Sequence, residues 1–206
     1  MSAFEFSFTF YGLVLGLSVV ELVAGIARTV HGGGRFRVGW LTPLVAIYLA
    51  LDVATFWSQS WVMNQHAPYS FTLLLLGLVS AGLFYIAASL VFPRDPEDGY
   101  DLTEHFWKHR RMIFSMVLAA NILNQTAVYW LFLASGYRPG IGDGAMLAVF
   151  AALLAAILLP RGKWAVVMFV LVLTYNVAFL GADVFALVQN GPWQLGNAIP
   201  GADPTS

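Results

Sequence analysis

Six long apolar stretches constrain the fold of this chain more than any other feature. They cover residues 8–28, 39–60, 70–92, 112–135, 144–160 and 164–189, and short charged segments separate them. A helix needs about 20 mostly apolar residues to cross the hydrocarbon core of a bilayer, and each stretch is close to that length. The sequence therefore predicts an all-α integral membrane protein with six transmembrane helices.

Composition supports this class and excludes several others. Charged residues make up 10% of the chain and hydrophobic residues 59%, whereas soluble domains average about 25% charged residues. The net charge of −1 and the lack of a basic run argue against a nucleic-acid partner. Because the chain has no cysteine, disulfides, thiolate metal sites and cysteine nucleophiles are excluded.

The domain organisation is simple. We interpret residues 1–190 as a single six-helix transmembrane domain and residues 191–206, which contain three prolines, as an irregular periplasmic tail. A cleaved signal peptide begins with basic residues, and none precedes the first apolar stretch. We therefore expect the first stretch to remain in the mature protein as a membrane helix.

The distribution of Lys and Arg predicts the orientation. Nine of the ten basic residues lie in the connections that follow stretches 1, 3 and 5, and Arg138 lies on the other side. Cytoplasmic loops of membrane proteins retain an excess of Lys and Arg. The pattern predicts both termini on the periplasmic side of a bacterial inner membrane.

Three carboxylates, those of Glu21, Asp52 and Asp183, fall within the apolar stretches, and no Lys or Arg lies deep in any of them. A charged side chain in the bilayer costs several kcal/mol unless it faces the protein interior or water, so such residues mark candidate functional sites. Without a cationic partner, each carboxylate should be protonated, hydrogen-bonded to neutral groups or neutralised by a bound cation.

Helical spacing places polar side chains on one face of stretches 1, 2, 4 and 6, whereas stretches 3 and 5 are nearly apolar and suit packing or contact with lipid. We predict that stretches 1, 2, 4 and 6 enclose a polar pathway. Measured from the cytoplasmic helix ends, its depth runs from about 10 Å at Glu21 to about 28 Å at Asp183. The predicted pathway residues are Glu21, Asp52, Asn121, Asn124, Gln125, Asn176 and Asp183, with Tyr11, Ser18, Tyr48 and Thr55 in support.

A series of carboxylates and amides at successive depths is what a cation or proton path requires. The leading hypothesis is a small inner-membrane channel or transporter for protons, a cation or a small polar solute. Amides also join membrane helices through hydrogen bonds, and Glu21 can pair with Arg28. The alternative is therefore a non-transporting membrane subunit or assembly factor of a larger membrane complex.

Enzyme, metal and cofactor roles find little support. The chain has no HExxH or GxSxG motif and no histidine within an apolar stretch, which argues against an intramembrane enzyme and against haem. His105 and His109 have metal-ligand spacing without a third ligand. We expect no cofactor and no metal.

Three local patterns complete the predictions. Asp101 and Glu104 have capping-box spacing, which predicts a helix start before stretch 4. Gly12 and Gly16 form a GxxxG motif, which permits close helix packing within the chain, in a homo-oligomer or with a membrane-protein partner. Residues 49–57 and 88–94 resemble residues 125–130 and 156–161, so spans 2–3 and 4–5 are compatible with repeated hairpins.

Overall fold

The computed structural model describes residues 3–32, 36–66, 70–94, 99–134 and 141–190. Within these residues the chain forms two strands of two residues each and six helices: α1 (Ala3–His31), α2 (Leu41–His66), α3 (Phe71–Ser89), α4 (Leu102–Ala134), α5 (Ile141–Leu158) and α6 (Lys163–Asn190).

The helices are compatible with the predicted all-α membrane class. Among the described residues, α1, α2, α3, α4 and α6 are long and apolar enough to cross a membrane, and α5 has a shorter apolar segment from Gly144 to Leu158. Their outer surfaces expose large apolar side chains such as Leu13, Val20 and Leu171. Such a surface is stable against lipid rather than water. The predicted tail, residues 191–206, lies outside the described residues.

Helix α4 begins where the capping pattern predicts. One side-chain oxygen of Asp101, Oδ1, accepts hydrogen bonds from the backbone N–H groups of Thr103 at 2.7 Å and Glu104 at 3.3 Å. These bonds satisfy donors that have no partner within the first turn of a helix. The predicted surface turn and span 4 are one continuous helix.

The three connections that carry most of the basic residues meet at one end of the bundle, which we call the basic end. Strand β1 (Phe36–Arg37), between α1 and α2, pairs in parallel with strand β2 (Tyr100–Asp101), between α3 and α4. Arg161, between α5 and α6, forms a 2.6 Å ion pair with Glu104. These contacts bring together the connections that follow α1, α3 and α5.

The packing order differs from a repeat of hairpins. Helix α3 packs mainly against α1 and α4 and only slightly against α2, whereas α5 packs against both α4 and α6. The pairs α2–α3 and α4–α5 therefore pack differently among the described residues, and the repeated hairpins stay a prediction. Buried apolar side chains from several helices form one core, including Leu15, Leu49, Phe84, Val117 and Phe169.

Close helix approach occurs at Gly25 rather than at the GxxxG motif. A Cβ atom at Gly25 would collide with the ring of Phe92, and it would lie 2.9 Å from the Cβ of that residue. A Cβ at Gly16 would meet no other atom within 4 Å, and one at Gly12 would make an ordinary 3.7 Å contact with Trp57. Among the residues that the structure describes, the motif is therefore not a site of close packing.

Candidate functional site

Asp52 is buried in the middle of α2. It lies eleven residues after Leu41, the first residue of the helix, which corresponds to about 16 Å along the axis. The amide nitrogen of Asn121, on α4, donates to Oδ2 of Asp52 at 2.8 Å and to the backbone carbonyl of Val117 at 3.1 Å. Among the described residues, no Lys, Arg or His forms an ion pair with Asp52.

A cavity of about 70 Å³ adjoins this carboxylate, and we call it the Asp52 cavity. One water molecule needs about 10–15 Å³ of such space, so the cavity has room for several. Helices α2, α4 and α6 contribute its polar lining, and α5 contributes an apolar wall. The lining residues are Tyr48, Asp52, Thr55, Gln59, Asn121, Gln125, Met146, Val149, Phe150, Leu153, Tyr175, Asn176 and Phe179.

Two polar residues of the cavity donate hydrogen bonds within their own helices and keep an acceptor oxygen beside Asp52. The Thr55 hydroxyl donates to the carbonyl of Leu51 at 2.9 Å, and the Asn176 amide nitrogen donates to the carbonyl of Val172 at 3.2 Å. The oxygens of Thr55 and Asn176 are therefore acceptors beside the Asp52 carboxylate, and Tyr48, Gln125 and Tyr175 add groups that can donate as well as accept. Such a lining suits water, a proton or a cation.

A second amide contact joins α2 and α4 farther from the basic end. The side-chain nitrogen of Asn124 donates to the side-chain oxygen of Gln59 at 3.1 Å. Gln59 lines the cavity, whereas Asn124 does not. Asn124 therefore positions a lining residue and has no direct place in the cavity wall.

Three aromatic side chains, which we call the aromatic cluster, lie between the cavity and the basic end. The ring centroid of Tyr48 is 5.7 Å from that of Phe169 and 6.4 Å from that of Phe114, and the two Phe rings are 5.3 Å apart. Each side chain is about 1% exposed. Since each precedes a polar cavity residue by one or two turns on its own helix, the cluster lies on the side of the cavity that faces the basic end.

The structure brings most of the predicted pathway residues together. Asp52, Asn121, Gln125 and Asn176 line one cavity, and the supporting residues Tyr48 and Thr55 line it too. Glu21 lies elsewhere, on α1. Its carboxylate is 3.6 Å from the guanidinium of Arg28, the pairing that the sequence analysis considered for this residue. The side chain of Asp183 is outside the described residues.

That spans 1, 2, 4 and 6 enclose the polar interior stays a prediction; the residues that line the Asp52 cavity belong to α2, α4, α5 and α6. The polar residues of α1 are used in packing contacts. The Tyr11 hydroxyl donates to the carbonyl of Leu73 on α3 at 3.3 Å, and the Ser18 hydroxyl donates to Val14 within α1. Helix α1 thus packs on the side of α3.

Sequence reasoning missed two parts of the cavity. Tyr175 lines it beside Asn176, and a tyrosine next to an amide in an apolar stretch was an available signal. The wall formed by α5 had no signal, because Met146, Val149 and Leu153 differ in no way from residues that face lipid.

The two histidines of α4 act as packing residues in this structure. Nε2 of His105 donates to the carbonyl of Leu90 at 3.0 Å, and the Tyr100 hydroxyl donates to Nδ1 of the same ring at 3.0 Å. The ring of His109 lies 4.2 Å from that of His105. Across the described ranges, no group of three His, Asp or Glu residues is arranged to hold a metal ion.

Comparison with protein-family models, with curated proteins and with solved structures finds no match to this chain. The residues of the Asp52 cavity therefore take no role from a relative, and only their own geometry and chemistry indicate what they do.

Proposed function

We propose that this protein is a small inner-membrane channel or transporter that moves a proton or a small cation through the Asp52 cavity. The observation that carries the proposal is the buried carboxylate of Asp52. It has no cationic partner among the described residues, and it faces a cavity with room for several water molecules. Burial of an uncompensated carboxylate in a membrane is costly, and a ligand that supplies positive charge removes that cost.

The size and chemistry of the cavity favour a small cationic ligand over a larger polar solute. A volume of about 70 Å³ accommodates a few water molecules or a partly dehydrated ion. The oxygens of Asp52, Thr55 and Asn176 can replace part of the hydration shell of such an ion. A bulky solute would need a cavity several times larger.

The buried aromatic cluster on one side of the cavity favours a gated transporter over a continuous pore. If the basic end is cytoplasmic, as the positive-inside rule predicts, the aromatic cluster lies on the cytoplasmic side of Asp52. The cavity would then be loaded from the periplasm, and transport would require the rings to separate. This orientation also places both termini outside.

Flux across liposomes tests the proposal directly. The purified protein is reconstituted, and uptake of protons, Na⁺ and K⁺ is followed with ion-sensitive dyes. We expect Asp52→Asn to abolish the flux, because the amide keeps the shape and hydrogen bonding of the side chain but cannot titrate or carry charge. Glu21→Gln is the matched control, since it removes a carboxylate of the same membrane protein outside the cavity and should leave flux unchanged.

Thermal stability separates transport from a structural role. Asp52→Asn should melt close to wild type, whereas Asp52→Leu should destabilise the bundle by leaving the Asn121 amide with one fewer acceptor. A stable and fully active Asp52→Asn protein would refute the transport role of this residue. A stoichiometric protein partner retained in mild detergent, together with no flux from the wild type, would instead favour the membrane-subunit alternative.

A further inference from the structure

A second cavity lies at the basic end, away from Asp52. It is an open depression of about 770 Å³ beside the first turns of α4, and we call it the Trp107 cavity. Its lining includes the aromatic rings of Tyr100 and Trp107 and the cationic side chains of Lys108, Arg111 and Arg161. No residue of this cavity takes part in the Asp52 cavity.

The charges in this cavity are unbalanced. Its two carboxylates are already engaged, since Asp101 accepts from the backbone of α4 and Glu104 pairs with Arg161 at 2.6 Å. Lys108 and Arg111 lie one turn apart on α4, and both side chains are exposed. Neither forms an ion pair with another residue of the described ranges. Two cations therefore face an open cavity without an ion-pair partner among the residues that the structure describes.

The cavity floor is built by packed side chains. The guanidinium of Arg110 is buried and donates to the carbonyls of Ala156 and Leu159, which fixes the end of α5 against α4. The ring of Trp107 lies 5.0 Å from the guanidinium carbon of Arg110 and 5.5 Å from that of Arg161. These two cation–π contacts hold the guanidinium groups of Arg110 and Arg161 beside the Trp107 ring.

The position of the cavity matches the level of lipid headgroups. Met112, directly after Arg111, is 48% exposed, and Trp164 at the start of α6 is 62% exposed. Tryptophan is enriched at the boundary between the apolar core of a membrane and water. A phospholipid places its phosphate at this boundary and its chains along the apolar helix surface beyond it.

We propose that the Trp107 cavity binds the phosphate headgroup of an anionic phospholipid, with Lys108 and Arg111 as the cations that contact it. Charge complementarity selects an anionic lipid, because a zwitterionic headgroup brings its own cation to the phosphate. The inference is independent of the transport proposal and of the orientation of the protein, since it concerns lipid affinity alone.

Native mass spectrometry of the detergent-solubilised protein, titrated with phosphatidylglycerol or phosphatidylcholine, tests the proposal. We expect retention of phosphatidylglycerol and an affinity about thirtyfold lower in Lys108→Gln/Arg111→Gln, from about 1 kcal/mol for each basic side chain near a membrane surface. The control is Arg94→Gln/Lys163→Gln, which removes two exposed cations of the same end outside the cavity. It should bind as the wild type does.

Several outcomes would overturn the proposal: equal retention of the two lipids, equal loss in the control pair, or complete displacement of phosphatidylglycerol by millimolar inorganic phosphate. The last result would indicate a site for a free anion rather than a lipid. If the double variant melts below the wild type, the single variants Lys108→Gln and Arg111→Gln decide, each with an expected loss of about fivefold.

Discussion

A carboxylate in the middle of a membrane helix is stable only if something replaces the water that it has lost. Asn121 supplies one hydrogen bond to Asp52, and both of its amide hydrogens are used, one on Asp52 and one on the carbonyl of Val117. The remaining acceptor capacity of Asp52 faces the cavity. At the residue scale, the pair joins α2 to α4 and places the Asp52 carboxylate in the cavity wall.

Replacement of Asn121 tests this double character. Asn121→Leu removes the donor and should lower stability by about 1–3 kcal/mol, because a buried polar group loses its partner. The double variant Asp52→Leu/Asn121→Leu should recover part of that loss, since both partners are then apolar. Thermal melting in detergent measures both effects, with Thr126→Val, an exposed position on the same helix, as the control. Additive losses in the double variant would contradict the pairing.

The cap at Asp101 predicts a pH dependence. The backbone N–H groups of Thr103 and Glu104 hold the pKa of the Asp101 carboxyl below its usual value. A carboxyl with a lowered folded-state pKa stabilises the fold fully above the unfolded pKa of about 3.9, and this stabilisation is lost as the pH falls through the folded-state pKa.

Asp101→Ala should therefore melt below wild type at pH 7, and the difference should shrink as the pH is lowered toward 3. Asp101→Asn should keep most of the cap, because asparagine is an equally good N-cap residue, but should show no titration of that cap. Melting curves across this pH range provide the measurement. A difference between wild type and Asp101→Ala that stays constant with pH would contradict the assignment.

At the scale of the helices, the sequence predicted existence and approximate position well because the apolar length requirement is strict. The predicted spans 70–92 and 164–189 correspond closely to α3 and α6. Helix α4 starts ten residues earlier than the apolar stretch, since its first turns are charged. The capping pattern at Asp101 located that start, whereas hydropathy could not.

The depth of individual side chains and the identity of neighbouring helices were harder to predict than the helices themselves. Counting residues from the helix ends placed Asn121 about 13 Å deep and Asp52 about 20 Å deep, yet the two side chains are bonded at 2.8 Å and lie at one level. Counting assumes helices that run parallel to the membrane normal, and tilt is set by packing rather than by local sequence. The same limit explains why α5 rather than α1 completes the cavity.

Glycine replacements on α1 test the packing of this helix. Gly25→Ala should destabilise the protein by about 1–3 kcal/mol, because the new methyl group collides with Phe92 close to its backbone. Gly16→Ala should be neutral or slightly stabilising, since it meets no atom within 4 Å and alanine favours helix. Melting temperatures of the two variants in detergent provide the comparison. A larger loss at Gly16 would point to a contact of the GxxxG motif outside this chain.

At the scale of the whole molecule, the two ends of the helix bundle differ in charge, and the aromatic cluster lies between Asp52 and the basic end. In the sequence, nine of the ten basic residues fall between the first and second, third and fourth, and fifth and sixth apolar stretches. If the basic end is cytoplasmic, as the positive-inside rule predicts, the aromatic cluster lies on the cytoplasmic side of Asp52 and the proposed loading occurs from the periplasm.

Single cysteines test the orientation, because the natural chain has none. Gly162→Cys, at the basic end, should resist a membrane-impermeant maleimide in intact cells, whereas Thr72→Cys, at the opposite end, should be labelled. A reporter fused after Ser206 should register as periplasmic and one inserted at Gly33 as cytoplasmic. The reverse labelling would place the basic end outside and invert the proposed direction of loading.

Access to the cavity provides the last prediction. Thr55→Cys places a thiol beside Asp52, and its own hydroxyl contact is confined to α2. A cationic, membrane-impermeant thiosulfonate should modify this cysteine from the side opposite the basic end and block flux, because the acceptor oxygens attract the reagent. From the basic end the aromatic cluster should prevent the reaction. Vesicles of both orientations, with the cysteine-free wild type as control, separate the two sides.

Loss of one ring of the cluster should remove this asymmetry. Phe169→Ala in the Thr55→Cys background deletes a side chain that contacts both Tyr48 and Phe114, so the reagent should then react from both sides. The substitution costs up to about 3–5 kcal/mol in a packed core, and a melting curve must show that the variant is folded at the assay temperature. Equal modification from both sides before Phe169 is replaced would show that the cluster is no barrier, and the gate would have to lie elsewhere on the path.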